Sequence, residues 1–142
     1  MHDAMPPQFH PLVREWFTQK YGMPTEVQNR AWPRILAGEH VLVTAPTGSG
    51  KTLTAFLAAI NKLLTGEWPA GTTSVLYISP LKALNNDIHR NLLVPLAELR
   101  ELASATDALI PEIAVATRSG DTPTRDRQRM LRMPPEILIT TP

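Results

Sequence analysis

The residues best suited to chemistry stand side by side: Ala45-Pro46-Thr47-Gly48-Ser49-Gly50-Lys51-Thr52. An apolar run, Val41-Leu42-Val43, precedes them, and Leu53, Phe56, Leu57, Ile60, Leu63 and Leu64 recur after them at helical spacing. A strand, a glycine-rich turn and a helix in that order predict a phosphate-binding loop. Glycines let the backbone turn its N–H groups toward an anion, and the helix start adds unpaired donors and the positive end of a dipole. Thr47, Gly48, Ser49, Gly50, Lys51 and Thr52 are the candidate phosphate ligands. Lys51 is placed for the β- and γ-phosphates and the Thr52 hydroxyl for Mg²⁺. The first position of the loop, usually glycine, is Ala45.

Other turns follow apolar runs in the same way. Val75-Leu76-Tyr77-Ile78 leads into Ser79-Pro80-Leu81-Lys82-Ala83, Ile113-Ala114-Val115-Ala116 into Thr117-Arg118-Ser119-Gly120-Asp121, and Ile137-Leu138-Ile139 into Thr140-Thr141-Pro142. Small hydroxyls and free N–H groups at such turns suit phosphate oxygens, including those of a nucleic-acid backbone, although they also serve as simple caps. Arg118, Arg125, Arg127, Arg129 and Arg132 crowd one segment. A solvated helix face explains such a run as readily as a phosphate-binding one. Gln28 offers a donor and an acceptor to the edge of an adenine, or is a surface glutamine. Hydrolysis at a phosphate loop needs further acids to hold Mg²⁺ and activate water, and no predicted strand ends in Asp-Glu.

These groups need a frame to hold them. The 142 residues make about one domain, with 43% hydrophobic and 19% charged residues, as in a globular protein. A net charge of +1 leaves any basic surface local, and without cysteine there is neither a disulfide framework nor a thiolate metal site. His2, His10, His40 and His89 lack ligand-like spacing. No signal-like start and no run of apolar residues long enough to span a membrane occur, which makes the cytoplasm the default expectation. Residues 1–8 read as a leader. Helices are predicted from about Leu12 to Gly22, from Thr25 to Ala37, over 51–64, over 83–100 with a bend at Pro95, and from Thr122-Pro123 to Met130. Strands are predicted at 41–44, 75–78, 113–116 and 137–139. Apolar strands alternating with amphipathic helices predict an α/β fold with a parallel sheet and helices on both faces. Ligands then bind beyond the carboxyl ends of the strands.

Taken together, the motifs resemble those of superfamily 2 helicases. Tyr21-Gly22-Met23-Pro24-Thr25-Glu26-Val27-Gln28 resembles the Q motif. Residues 45–52 are similar to motif I, where alanine at the first position is normal. Ser79-Pro80-Leu81-Lys82-Ala83-Leu84 resembles motif Ia, Ser119-Gly120 a glycine motif, and Thr140-Thr141-Pro142 motif Ib. Ser-Pro-Leu-Lys-Ala-Leu-Asn-Asn-Asp followed by Arg-Ser-Gly-Asp-Thr-Pro is most similar to the large helicase-related (Lhr) branch of DEAD/DEAH-box ATPases. The resemblance runs from about residue 9 to the end. It implies a RecA-like P-loop NTPase sheet, incomplete over this stretch, as the N-terminal part of the first of two such domains (residues 9–142). It implies ATP and Mg²⁺ as cofactors, adenine read by Gln28, and triphosphate and metal held by Gly48, Gly50, Lys51 and Thr52. Pro80, Lys82, Ser119, Gly120, Thr140 and Thr141 would touch single-stranded nucleic acid, DNA in preference to RNA. Family members of this branch unwind duplexes with 3′ to 5′ polarity, in partnership with a second RecA-like domain.

The sequence departs from the family in three respects. The aromatic often found upstream of the Q motif has no clear counterpart, since Phe9 is too close. The acidic motif II is absent, as is the second RecA-like domain with its arginine finger. Residues 1–142 alone are therefore expected to lack ATP turnover, and to be poorly stable because a central strand edge lies open. Another superfamily 2 motor, or a nucleotide- and nucleic-acid-binding module without catalysis, remains an alternative at this point. A small-molecule kinase would not account for the Q-motif resemblance.

Overall fold

The computed structural model of the protein describes residues 4–46, 48–80 and 85–142. Thr47, and Lys82 with its neighbours in 81–84, lie outside the described residues.

Three helices come first. Helix α1, Pro11–Tyr21, starts with proline at its first position behind a His10 cap whose Nδ1 accepts the Leu12 N–H at 3.1 Å. It stops at Gly22, whose φ of 77° is open to glycine. Helix α2, Glu26–Leu36, is capped reciprocally: Thr25 Oγ1 accepts the Gln28 N–H at 3.3 Å and Gln28 Oε1 accepts the Thr25 N–H at 2.9 Å. Pro33 lies inside α2 without ending it. Helix α3, Lys51–Leu64, is buried at every residue from Phe56 to Leu64, so it is the central rod of the molecule rather than a surface helix.

The strands are β1 (Val75–Ile78), β2 (Val115–Arg118) and β3 (Ile137–Thr140), parallel and in the order β1-β3-β2. Val75 and Val115 both register with Ile137, and Ile78 and Arg118 both register with Thr140. Crossovers carry α4 (Asn85–Ile88), a π-helical segment His89–Leu93, α5 (Val94–Ala105) and α6 (Thr124–Arg132). The bend predicted at Pro95 takes the form of that widened turn. Pro95 has no N–H for the carbonyl four residues back, and the Val94 N–H reaches five residues back to His89. Helix α5 also runs on to Ala105, past the end predicted at residue 100, and β2 lies two residues later than predicted.

One face of the sheet carries Val75, Tyr77, Val115, Ile137 and Ile139 into a core shared with Phe56, Leu92 and Leu99. Phe56 and Tyr77 stack with ring centroids 4.9 Å apart. Burying one such side chain fully contributes about 1.5–3 kcal/mol. The opposite face leaves Leu76 and Ile78 57% and 56% exposed. Met5, within the stretch read as a leader, and Phe9 are buried in the core, Phe9 edge-on to Trp32 at 5.0 Å.

The strand predicted at 41–44 is not formed. Residues 41–46 are irregular and pair with none of β1 to β3, and Leu42 is 89% exposed. Apolar, β-branched composition supplies a preference for extended backbone. A strand also requires a neighbour to complete the ladder, and no described residue provides one.

Candidate functional site

The phosphate-binding loop is held from below by α3 and from the side by α2. Gly48 and Gly50 have φ values of 84° and 83°, the left-handed conformation that turns successive N–H groups toward one side. Ser49 Oγ donates to the Pro46 carbonyl at 2.6 Å, and the Lys51 ammonium donates to the Ala45 carbonyl, bracing the loop from both ends. Thr54 Oγ1 donates back to the Gly50 carbonyl at 2.6 Å, while the Thr54 carbonyl accepts the Trp32 indole N–H at 2.9 Å. The loop is thus tied through α3 to the aromatic core.

Helix α2 closes on the same loop. Thr25 Oγ1 donates to the Ser49 carbonyl at 3.0 Å. Gln28 is 3% exposed, which rules out the surface glutamine that composition alone allowed. A Cβ placed on Gly50 would stand 2.6 Å from Gln28 Nε2, so the missing side chain at Gly50 is what lets the glutamine amide lie against the loop. Gln28 and the loop line a cavity of about 620 Å³ together with Tyr21, Met23, Thr25, Lys51, Thr52, Asp87, Arg90 and Asn91. Gly48 and Gly50 line it too.

Phe9 takes no part in this cavity, but Tyr21 does. It is 41% exposed and packs edge-on against Trp16 at 5.9 Å. The sequence reading passed over Tyr21, although it opens the Q-motif resemblance. It also passed over Asp87, Arg90 and Asn91. Asp87 Oδ2 accepts the Thr52 hydroxyl at 3.0 Å, and its Oδ1 accepts Asn91 Nδ2 at 2.9 Å. Burial, and then the Asp87 carboxylate nearby, push the Tyr77 phenol above its ordinary range. The available signal was position: Asp87 is an acid in the first turn of the helix that follows β1.

A second group of sequence-predicted residues gathers at the carboxyl edge of the sheet. Because β1, β3 and β2 are parallel and end in register, the turns at Ser79-Pro80, Thr141-Pro142 and Ser119-Gly120 lie side by side in that order. Main-chain and hydroxyl bonds stitch them together. The Ser79 N–H donates to the Thr140 carbonyl at 3.0 Å, and Thr140 Oγ1 donates to the Arg118 carbonyl at 2.6 Å. Thr122 Oγ1 accepts the Ser119 N–H at 2.8 Å. Pro80 and Gly120 are exposed, and Ser119, Thr140 and Thr141 are half-buried.

Helix α6 buries none of its residues, as a solvated arginine face requires. Arg127 is the exception in direction. Its guanidinium turns back and donates to the Ser119 carbonyl at 2.9 Å and the Gly120 carbonyl at 3.1 Å, fixing the glycine turn from behind.

The comparisons with known proteins agree with this layout. The family model for DEAD/DEAH box helicases matches residues 25–142. The chain is 54% identical over 133 residues to the ATP-dependent helicase Lhr-Core protein 2 of Thermococcus barophilus, covering 92% of this chain and 15% of that protein. It is 49% identical over 136 residues to the Lhr helicase/probable uracil glycosylase of Mycolicibacterium smegmatis, covering 95% of this chain and 9% of that one. The solved structure of Mycobacterium smegmatis helicase Lhr bound to ssDNA and AMP-PNP superposes with a TM-score of 0.85 at 50% identity, over 95% of this chain and 17% of that one. The chain therefore spans less than a fifth of the length of these relatives. On its motifs, its parallel α/β architecture and these matches, the chain belongs to the DEAD/DEAH box helicase family.

Proposed function

We propose that residues 1–142 form the ATP-binding part, and one nucleic-acid-binding edge, of an ATP-dependent helicase that moves 3′ to 5′ along a single strand. The observation that carries this reading is the meeting of two separate sequence motifs in one cavity. The α2 cap, with Thr25 and Gln28, lies directly against Ser49 and Gly50 of the phosphate-binding loop. Adenine fits beside the lining residues Tyr21, Met23 and Gln28, and the triphosphate fits the loop N–H groups and Lys51. Thr47 belongs to the same loop in the sequence.

Mg²⁺ suits the place where Thr52 meets Asp87. This ion keeps several waters and takes one or two protein oxygens with phosphate oxygens, and Thr52 Oγ1 supplies one such oxygen. Bound there, the metal would neutralise charge on the phosphates. The chain's own contribution is to grip and orient the triphosphate, with Lys51 leaving the Ala45 carbonyl to do so. In the family that the motifs resemble, water is activated through motif II and a second RecA-like domain, so turnover is a property to measure on the protein as its gene encodes it. The stitched turns at Pro80, Ser119-Gly120 and Thr140-Thr141, together with Lys82, offer hydroxyls and N–H groups to a phosphodiester backbone. Single-stranded DNA in preference to RNA is the proposed partner, as the ssDNA-bound relative suggests. The cytoplasm is the proposed location.

The test is strand displacement by the protein as its gene encodes it, on duplexes with a 3′ or a 5′ single-stranded tail of DNA or RNA. The reading requires ATP-dependent displacement from 3′-tailed DNA that is lost in Lys51→Ala. Displacement that survives this substitution, or that needs a 5′ tail, would refute it.

A further inference from the structure

The structure assigns Asp87 a role in the metal corner of the nucleotide site: it is a positioning residue that accepts the hydrogen bond of the Thr52 hydroxyl and so turns a lone pair of Thr52 Oγ1 toward Mg²⁺. This inference rests on the ATP-binding reading above. A threonine hydroxyl has one proton to donate and two lone pairs to offer, and only a lone pair can ligate a cation. Inside a helix the usual acceptor for that proton is the carbonyl three or four residues back. Thr54 follows this habit, donating to the Gly50 carbonyl at 2.6 Å. Thr52, one half-turn earlier on the same helix, donates instead to Asp87 Oδ2 at 3.0 Å. The carboxylate is itself oriented, since Asn91 Nδ2 donates both to Asp87 Oδ1 at 2.9 Å and to the Asp87 carbonyl at 3.0 Å. The π-helical segment His89–Leu93 contains Asn91, and such widened turns recur at functional sites.

Charge makes the case sharper. Asp87 lines the same cavity as Lys51 and the loop glycines. A carboxylate facing a triphosphate is repulsive by itself, and becomes favourable only with a cation between the two. An acid at this place therefore suits a site that takes the metal–nucleotide complex and discriminates against the bare nucleotide. Asp87 belongs to the helix following β1, apart from the phosphate loop, and neither the composition nor the spacing of the loop announces it.

The experiment is a titration of a fluorescent ATP analogue into the protein as its gene encodes it, once in MgCl₂ and once in EDTA. Wild type is compared with Asp87→Asn, which keeps the size and removes the charge, with Asp87→Ala, and with Asn91→Ala, which frees the carboxylate. The readout is the ratio of the two affinities. Loss of an oriented partner of a metal ligand costs roughly 10–100-fold in metal affinity. The Mg²⁺-dependent gain should accordingly shrink about tenfold or more in both Asp87 variants, and less in Asn91→Ala. Binding in EDTA should stay equal or become tighter. If Asp87→Asn keeps the full Mg²⁺-dependent gain, or loses affinity equally in both buffers as a merely structural residue would, the proposal is overturned while the ATP site stands. If Lys51→Ala binds the analogue as wild type does, the ATP-binding reading and this proposal fall together.

Discussion

The two candidate edges of the molecule are built by different means. At the nucleotide edge, position comes from burial. Gln28, Leu53 and Thr54 are buried, Trp32 locks the start of α3 through its indole, and Phe9 and Phe17 pack edge-on against Trp32 at 5.0 and 5.4 Å. At the nucleic-acid edge, position comes from hydrogen bonds between neighbouring strand ends, with little apolar cover. The Ser79–Thr140 and Thr140–Arg118 links and the Arg127 clamp hold these turns in place. A site held by packing resists local opening, whereas one held by exposed hydrogen bonds opens at lower cost. The difference fits the proposed division of labour, one edge for a small ligand held firmly and one for a strand held and released.

Substitutions can break this contrast, and the largest effect should come from the packed side. Trp32→Ala removes the ring between Phe9 and Phe17 and the bond to Thr54, and should cost about 3–5 kcal/mol of stability in denaturant unfolding. A loss below about 1 kcal/mol would mean that packing does not hold the nucleotide edge. Next, Lys51→Ala removes a charged donor and should weaken ATP analogue binding by roughly 10–100-fold, with stability little changed. Gly50→Ala places a Cβ against Gln28 Nε2 and forces a left-handed φ on alanine, a strain of about 1–2 kcal/mol. It should lower nucleotide affinity and leave strand binding intact.

On the other edge, Arg127→Ala should weaken single-strand binding about tenfold by releasing two carbonyls from charged donors. Because Arg127 points at the protein, the slope of affinity against salt should stay unchanged. Each lost phosphate contact would lower that slope by about 0.7 for a single strand, so a lowered slope would make Arg127 a phosphate ligand instead.

The smallest effect concerns neither edge directly. Glu98 on α5 binds Lys20 on α1 at 2.8 Å and accepts the Trp16 indole N–H at 2.6 Å. The Lys20 bond first, aided by Trp16, outweighs burial and holds the Glu98 carboxyl below its ordinary range. Its contribution to stability is therefore present above the unfolded-state pKa and lost as pH falls through the lower folded-state value. The pair is about one-third exposed, so that contribution should stay below about 1 kcal/mol. Glu98→Gln should flatten the acid limb of a stability–pH curve followed by tryptophan fluorescence. An unchanged limb would remove Glu98 from the account.

Legibility in the sequence followed the range of the interactions. Helix α3 was readable to the residue, because a glycine turn and a 3.6-residue apolar rhythm are local signals. The same holds for the Thr25 cap and for β1. The strand predicted at 41–44 failed because its ladder depends on residues far away in the chain. Gln28 could be named as a candidate, but its burial against Gly50 arises only when α2 folds back onto the loop. Asp87 and Asn91 were hidden because the π-helical segment shifts the phase of the helix that carries them, so periodicity could not say which side faced Thr52. Arg127 read as one of several arginines on a wet helix, and only the path of the 119–121 turn distinguishes it.

The meeting of α2 with the phosphate-binding loop is tested most directly by the preference of the protein for ATP over GTP. The two nucleotides share their phosphates and differ at the base edge that Gln28 is proposed to read. The account predicts that wild type favours ATP and that Gln28→Ala binds both nucleotides alike, with Lys51-dependent affinity for each retained. A Gln28→Ala protein that remains folded and keeps the full preference for ATP would contradict it.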